Sequence, residues 1–155
     1  MRNLLLICFI LLGANLYSEE LTPGVGLLYL ENRDNAKAEE VFNQLIVSTD
    51  WYDCELCHLY LGISQYRMGK YKEARVSFIQ ASKNDRSKCL AIAYLFLVYS
   101  KDYDEKGIEH ALSLSLDGGI NKGTEERSFM YQCMAQAAKV VKNKELKDKI
   151  LGDIK

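Results

Sequence analysis

Three residues recur along this chain at a single offset: Gly26, Ala38 and Phe42 reappear 36 positions later as Gly62, Ala74 and Phe78. A period of roughly 20 to 50 residues constrains the fold before any local reading, because one such unit cannot bury its apolar face alone and must stack on its neighbours. Within the better copy, Leu59, Ile63 and Tyr66 fall at helical spacing before the break Gly69-Lys70-Tyr71. Tyr71, Ala74, Phe78 and Ala81 follow it at spacings of three and four. The pattern predicts two antiparallel amphipathic helices. Gly62, Ala74 and Ala81 are small where the helix axes must approach, and Tyr71 and Phe78 fill the space beside them. Gly69 suits the left-handed residue that ends the first helix. No segment alternates with period two, so the predicted fold class is all-α.

Residues 61–85, LGISQYRMGKYKEARVSFIQASKND, carry a Leu-Gly pair, a Gly-x-Tyr turn and a later series of alanine, aromatic and alanine. This segment closely resembles the tetratricopeptide repeat, and the match spans both helices of one unit. The resemblance implies an α-solenoid. The earlier copy runs through Val25 to Tyr29, the turn Asn32 to Asn35, and Ala38, Phe42 and Leu45. It is about two residues longer than the usual 34. The later copy holds Cys89 to Tyr99, the turn Lys101 to Asp104, and Gly107, Ala111 and Leu114. Phe96 stands there in place of the small first-helix residue, so a looser crossing is predicted. Its second helix should stop at Asp117-Gly118-Gly119. A further helix is expected from Thr124, as cap, with Glu125 and Glu126 in its first turn, running through Tyr131, Met134, Ala135 and Ala138 to about Lys142. The stretch from Glu145 to Ile154, with Leu146, Ile150 and Leu151 on one face, is expected to cap the stack. The predicted organisation is thus a leader over 1–18 and a repeat domain over 19–155. Its units lie at about 19–53, 54–88 and 89–122, and its terminal helices lie within 124–155.

The leader reading rests on Arg2, the apolar run Leu4 to Leu12, the small and polar residues to Ser18, and the pair Glu19-Glu20. That order suits a secretory signal peptide, and the run is shorter than the roughly 20 residues needed to span a bilayer. The expectation is an exported chain, periplasmic or secreted, with no membrane span once the signal is removed. Four cysteines then remain, Cys54, Cys57, Cys89 and Cys133, and an oxidising compartment leaves three pairings open. A formal net charge of −1 supplies no global field for nucleic acid.

Cys54-Glu55-Leu56-Cys57-His58 has the spacing at which c-type haem is attached, with two thiols on the vinyl carbons and His58 on the iron. A distal ligand would come from His110, Met68, Met130 or Met134. Against that, the string opens the first helix of the best repeat, where a disulfide or simple packing accounts for it, and no cofactor is the main expectation. Zinc at Cys54, Cys57 and His58 lacks a second ligand pair. Only two histidines are present, and no nucleophile elbow or phosphate loop occurs, so no enzyme is expected.

In tetratricopeptide proteins the first helices line a concave groove. Carried onto this chain, the resemblance implies a groove formed by Leu56, Leu59, Ile63, Tyr66 and Arg67 with Leu90, Ala93, Leu97, Ser100 and Lys101. Leu59 and Ile63 stand where relatives that hold a terminal carboxylate have polar residues, so an apolar segment or helix of another protein is the expected ligand. A self-associating homo-oligomer and a groove covered by the chain's own terminal helix are the alternatives. The functional expectation is an adaptor of the cell envelope, with a small c-type haem protein as the competing reading.

Overall fold

The computed structural model describes residues 21–48, 54–116 and 124–154. The expected leader and the expected stop at Asp117-Gly118-Gly119 lie outside them. The described residues form eight helices and no strand: α1 Pro23–Glu31, α2 Asn35–Ser48, α3 Cys57–Arg67, α4 Tyr71–Ala81, α5 Lys88–Lys101, α6 Glu105–Leu116, α7 Thr124–Val140 and α8 Lys144–Asp153. The protein is all-α. Helices α1 to α6 pack in chain order, each on the next, while α7 packs chiefly on α5.

Local chemistry sets the helix ends. Pro23 opens α1, where its fixed φ is already helical and its missing N–H is no loss. Asn143 caps α8 by accepting from the Leu146 N–H at 3.1 Å. The three hairpin turns share one backbone solution. Arg33, Gly69 and Tyr103 take φ of 60°, 76° and 53°. After each, the next N–H donates to a carbonyl five residues back: Asp34 to Tyr29 at 2.9 Å, Lys70 to Gln65 at 2.9 Å and Asp104 to Tyr99 at 3.0 Å. This is the Schellman ending, which satisfies carbonyls that a helix terminus otherwise leaves orphaned. Only the middle turn was legible from a glycine; Arg33 and Tyr103 adopt the left-handed region against their side-chain preference.

The two helices of a hairpin meet through a glycine under an aromatic ring. A Cβ placed on Gly26 would lie 2.6 Å from the Phe42 ring, and one on Gly62 would lie 2.6 Å from Phe78. Phe42, Phe78, Ala38 and Ala74 are all fully buried there. The third hairpin keeps the close crossing that Phe96 was expected to loosen, but reverses its parts. Phe96 is buried in the core, and the glycine now lies on the second helix, where Gly107 supports the ring of Tyr99 from the first.

The joints between hairpins also repeat. Phe42 of α2 stacks on Tyr60 of α3 with ring centroids 5.5 Å apart, and Phe78 of α4 stacks on Tyr94 of α5 at 4.9 Å and 8° between planes. Beside the first joint, Glu39 accepts from buried Gln65 at 3.2 Å and from Lys70 Nζ at 2.6 Å. Gln65 in turn accepts from the Ser77 hydroxyl at 2.7 Å. At the matching place in the second joint, Arg75 pairs with Asp104 at 3.7 Å and lies over the Tyr99 ring. The acid and the base have exchanged places between the second helix of one hairpin and the turn of the next, and the joint survives because an ion pair is indifferent to which partner carries which charge.

The terminal pair buries Met134, Ala138, Leu146 and Ile150, as their apolar spacing suggests, and departs from the expected face at Leu151. On α7 the buried residues are Met130, Cys133, Met134, Ala137 and Ala138, with Val141 just beyond the helix, while Tyr131 and Ala135 only flank them. Thr124 is the first residue of the helix. On α8, Leu146 and Ile150 are buried, but Leu151 is exposed. The Glu105 carboxylate at the start of α6 accepts from the Asn143 N–H at 3.3 Å, tying the α7–α8 turn to the third hairpin.

Two substitutions test this account in opposite directions. Gly107→Ala forces a methyl into the Tyr99 ring and should cost about 1–3 kcal/mol by overpacking. Arg33→Gly relieves a left-handed penalty of roughly 1–2 kcal/mol, less the extra chain entropy of glycine of about 0.5–1 kcal/mol. Thermal unfolding should therefore show a lower melting temperature for the first variant and a higher one for the second.

Candidate functional site

The first helices of the second and third hairpins, α3 and α5, supply the face expected to bind a partner, and the structure sorts its residues by burial. Leu59 and Ala93, 2% and 0% exposed, belong to the core and present nothing to a ligand. That corrects their inclusion in the groove: each faces the packed interior of its own hairpin stack. Ser100 is also buried, its hydroxyl donating to the Phe96 carbonyl. Leu56, Ile63, Tyr66, Leu90 and Leu97 are half-buried and pack against the core from its edge, while Arg67 and Lys101 are exposed. Arg67 donates to the Leu30 carbonyl at 2.9 Å, so it also caps the end of α1.

Tyr94 gathers this region. Besides stacking on Phe78, its ring meets Tyr66 of α3 and Phe129 of α7, each at 5.7 Å. Tyr66 further touches Tyr71 at 5.6 Å. Burial raises the pKa of both Tyr66 and Tyr94, with the charge of Arg67 opposing it at Tyr94. Helix α7 therefore lies over the α5 part of the face, and what remains accessible is the strip beside it, from Ile63 and Arg67 on α3 to Leu97 and Lys101 on α5. Sequence periodicity alone missed Tyr94 and Phe129, although both aromatics were visible in it.

The cysteines resolve into two kinds. Cys54 and Cys57 form a disulfide across three residues, with Cys54 half-buried before α3 and Cys57 fully buried as its first residue. Cys89 and Cys133 are free and buried. Desolvation raises the Cys89 thiol pKa and pushes that of Cys133 up to about 12, so both stay protonated.

These residues do not fit a covalently attached haem. The two sulfurs are bonded to each other rather than free for vinyl carbons, and the apolar pocket beside them holds about 250 Å³, below the roughly 300–1,000 Å³ of ordinary ligand sites. His58 does not line that pocket. Among the described residues no three histidine, cysteine, aspartate or glutamate side chains gather as a metal site.

No family model, curated protein or solved structure matches this chain. The site must be read from its own chemistry.

His58 gives a pH test. Burial, and secondarily the charge of Lys83, lowers its pKa below the usual value of about 6.5. The folded protein then binds fewer protons here than the unfolded chain, so this contribution to stability is intact above about pH 6.5 and is lost as the pH falls towards the folded-state pKa. The melting temperature of the parent should fall more steeply than that of His58→Gln as the pH is lowered through this window.

Proposed function

We propose that this chain is a non-catalytic adaptor of the tetratricopeptide kind, exported to the cell envelope, that holds a segment of a partner protein on the face formed by α3 and α5. The observation that carries the reading is the recurrence, in consecutive hairpins, of one turn geometry and one glycine–aromatic crossing. Stacked helical repeats present extended surfaces whose residues vary freely once the crossings are secured, and such surfaces serve to bind other proteins. The strip beside α7 offers Ile63, Tyr66, Leu90 and Leu97 edge-on, with the positive charges of Arg67 and Lys101 alongside. An apolar helix or extended segment flanked by acidic residues complements it.

Site-specific photo-crosslinking in the native host tests this. A crosslinker at position 63 or 97 should capture one discrete partner, and the reversals Arg67→Glu and Lys101→Glu should each reduce that capture, Lys101→Glu doing so with helicity unchanged. A crosslinker at Val76, exposed on the outer helix α4, should capture nothing. Equal capture from position 76, or capture indifferent to the charge reversals, would sink the proposal.

A further inference from the structure

The disulfide at the start of α3 is asymmetric in a way that matters chemically. Cys54 precedes the helix and is half-buried, whereas Cys57, its first residue, is 0% exposed. An incoming thiolate can therefore reach only the Cys54 sulfur. The two cysteines border a pocket whose other walls are Pro23 and Leu27 of α1 with Leu56 and Tyr60, and whose rim carries the Arg86–Glu55 ion pair at 2.7 Å. Helix α3 begins without a side-chain cap and without an acidic residue in its first turn. Its positive end favours an anion on Cys57, the first residue of the helix.

We propose that Cys54 and Cys57 form a thiol–disulfide exchange site whose substrates are cysteine thiols in apolar stretches of other polypeptides. A substrate thiolate attacks Cys54 Sγ, and the Cys54–Cys57 bond breaks with its electron pair on Cys57 Sγ. That thiolate is the leaving group, and the helix end favours its departure. A second thiol of the substrate, once deprotonated, then attacks the substrate sulfur of the mixed disulfide and releases Cys54. Two thiol protons pass to the two protein sulfurs. The substrate dithiol ends as a disulfide and the protein pair as a dithiol, a two-electron transfer. The pocket, lined by apolar side chains immediately beside the reacting bond, accepts the residue next to the substrate cysteine. Cys89 and Cys133 take no part, since both are buried and held protonated. This site lies apart from the α3–α5 strip and does not depend on the adaptor reading.

The test uses the whole protein under native conditions. Equilibration in glutathione redox buffers, rapid alkylation and mass mapping should show Cys54 and Cys57 titrating together as one pair while Cys89 and Cys133 stay unlabelled. Cys57→Ser exposed to glutathione disulfide should accumulate an adduct at Cys54, and Cys54→Ser should form none at Cys57. A pair that yields to dithiothreitol only when the protein is unfolded by denaturant, or equal adducts in the two variants, would overturn the proposal. The redox titration of the parent decides the matter even if a serine variant fails to fold.

Discussion

An aromatic ring seated on a glycine determines how closely the two helices of each hairpin approach, and the remaining packing depends on that distance. Phe42 occupies the space over Gly26, Phe78 that over Gly62, and Tyr99 that over Gly107. Close-packed interiors leave no slack for an added methyl at such a point. The third hairpin shows that the geometric requirement is a small residue facing a large one, since donor and recipient helices exchange roles there without opening the crossing. The same tolerance appears in the joints, where Glu39 with Lys70 is replaced by Arg75 with Asp104 in reversed order.

The rings that lock the hairpins also connect them. Phe78 sits over Gly62 on one side and stacks on Tyr94 on the other, and Tyr94 continues the contact to Tyr66 and Phe129. One core cluster spans the second and third hairpins and the terminal pair, while the first hairpin forms a smaller cluster that borrows Cys57 and Leu61 from α3. The disulfide stands at that seam, with Cys57 contributing to the smaller core and Cys54 at its edge.

Much of the architecture was legible in the residues. Helical spacing around Leu59 to Tyr66 and Tyr71 to Ala81, small residues at the crossings and a glycine at the middle turn are local signals, and they give helices and hairpins directly. The turns at Arg33 and Tyr103 were less legible because their left-handed backbone is imposed by the Schellman hydrogen bonds rather than favoured by their side chains. On α7, Met134 and Ala138 were legible and are buried, while packing on α5 also turns Met130, Cys133 and Ala137 inward and leaves Tyr131 and Ala135 at the flank. The groove was misread at Leu59 and Ala93 because apolar periodicity marks the side of a helix that is buried, without saying whether its own core or a ligand does the burying.

The sequence by itself determined the helical class, the hairpin period and the small-against-large logic of the crossings, because each of these follows from residues within about one or two turns of each other or from a repeated offset. Only the tertiary structure decided that Cys54 bonds Cys57 while Cys89 and Cys133 stay apart, that α7 lies over Tyr94, and which edge of α3 and α5 remains accessible. The disulfide closes over only three residues, but the other outcomes depend on where segments separated by 30 residues or more come to rest. That placement is set by the competition of many apolar faces for a limited number of neighbours, which no local pattern encodes.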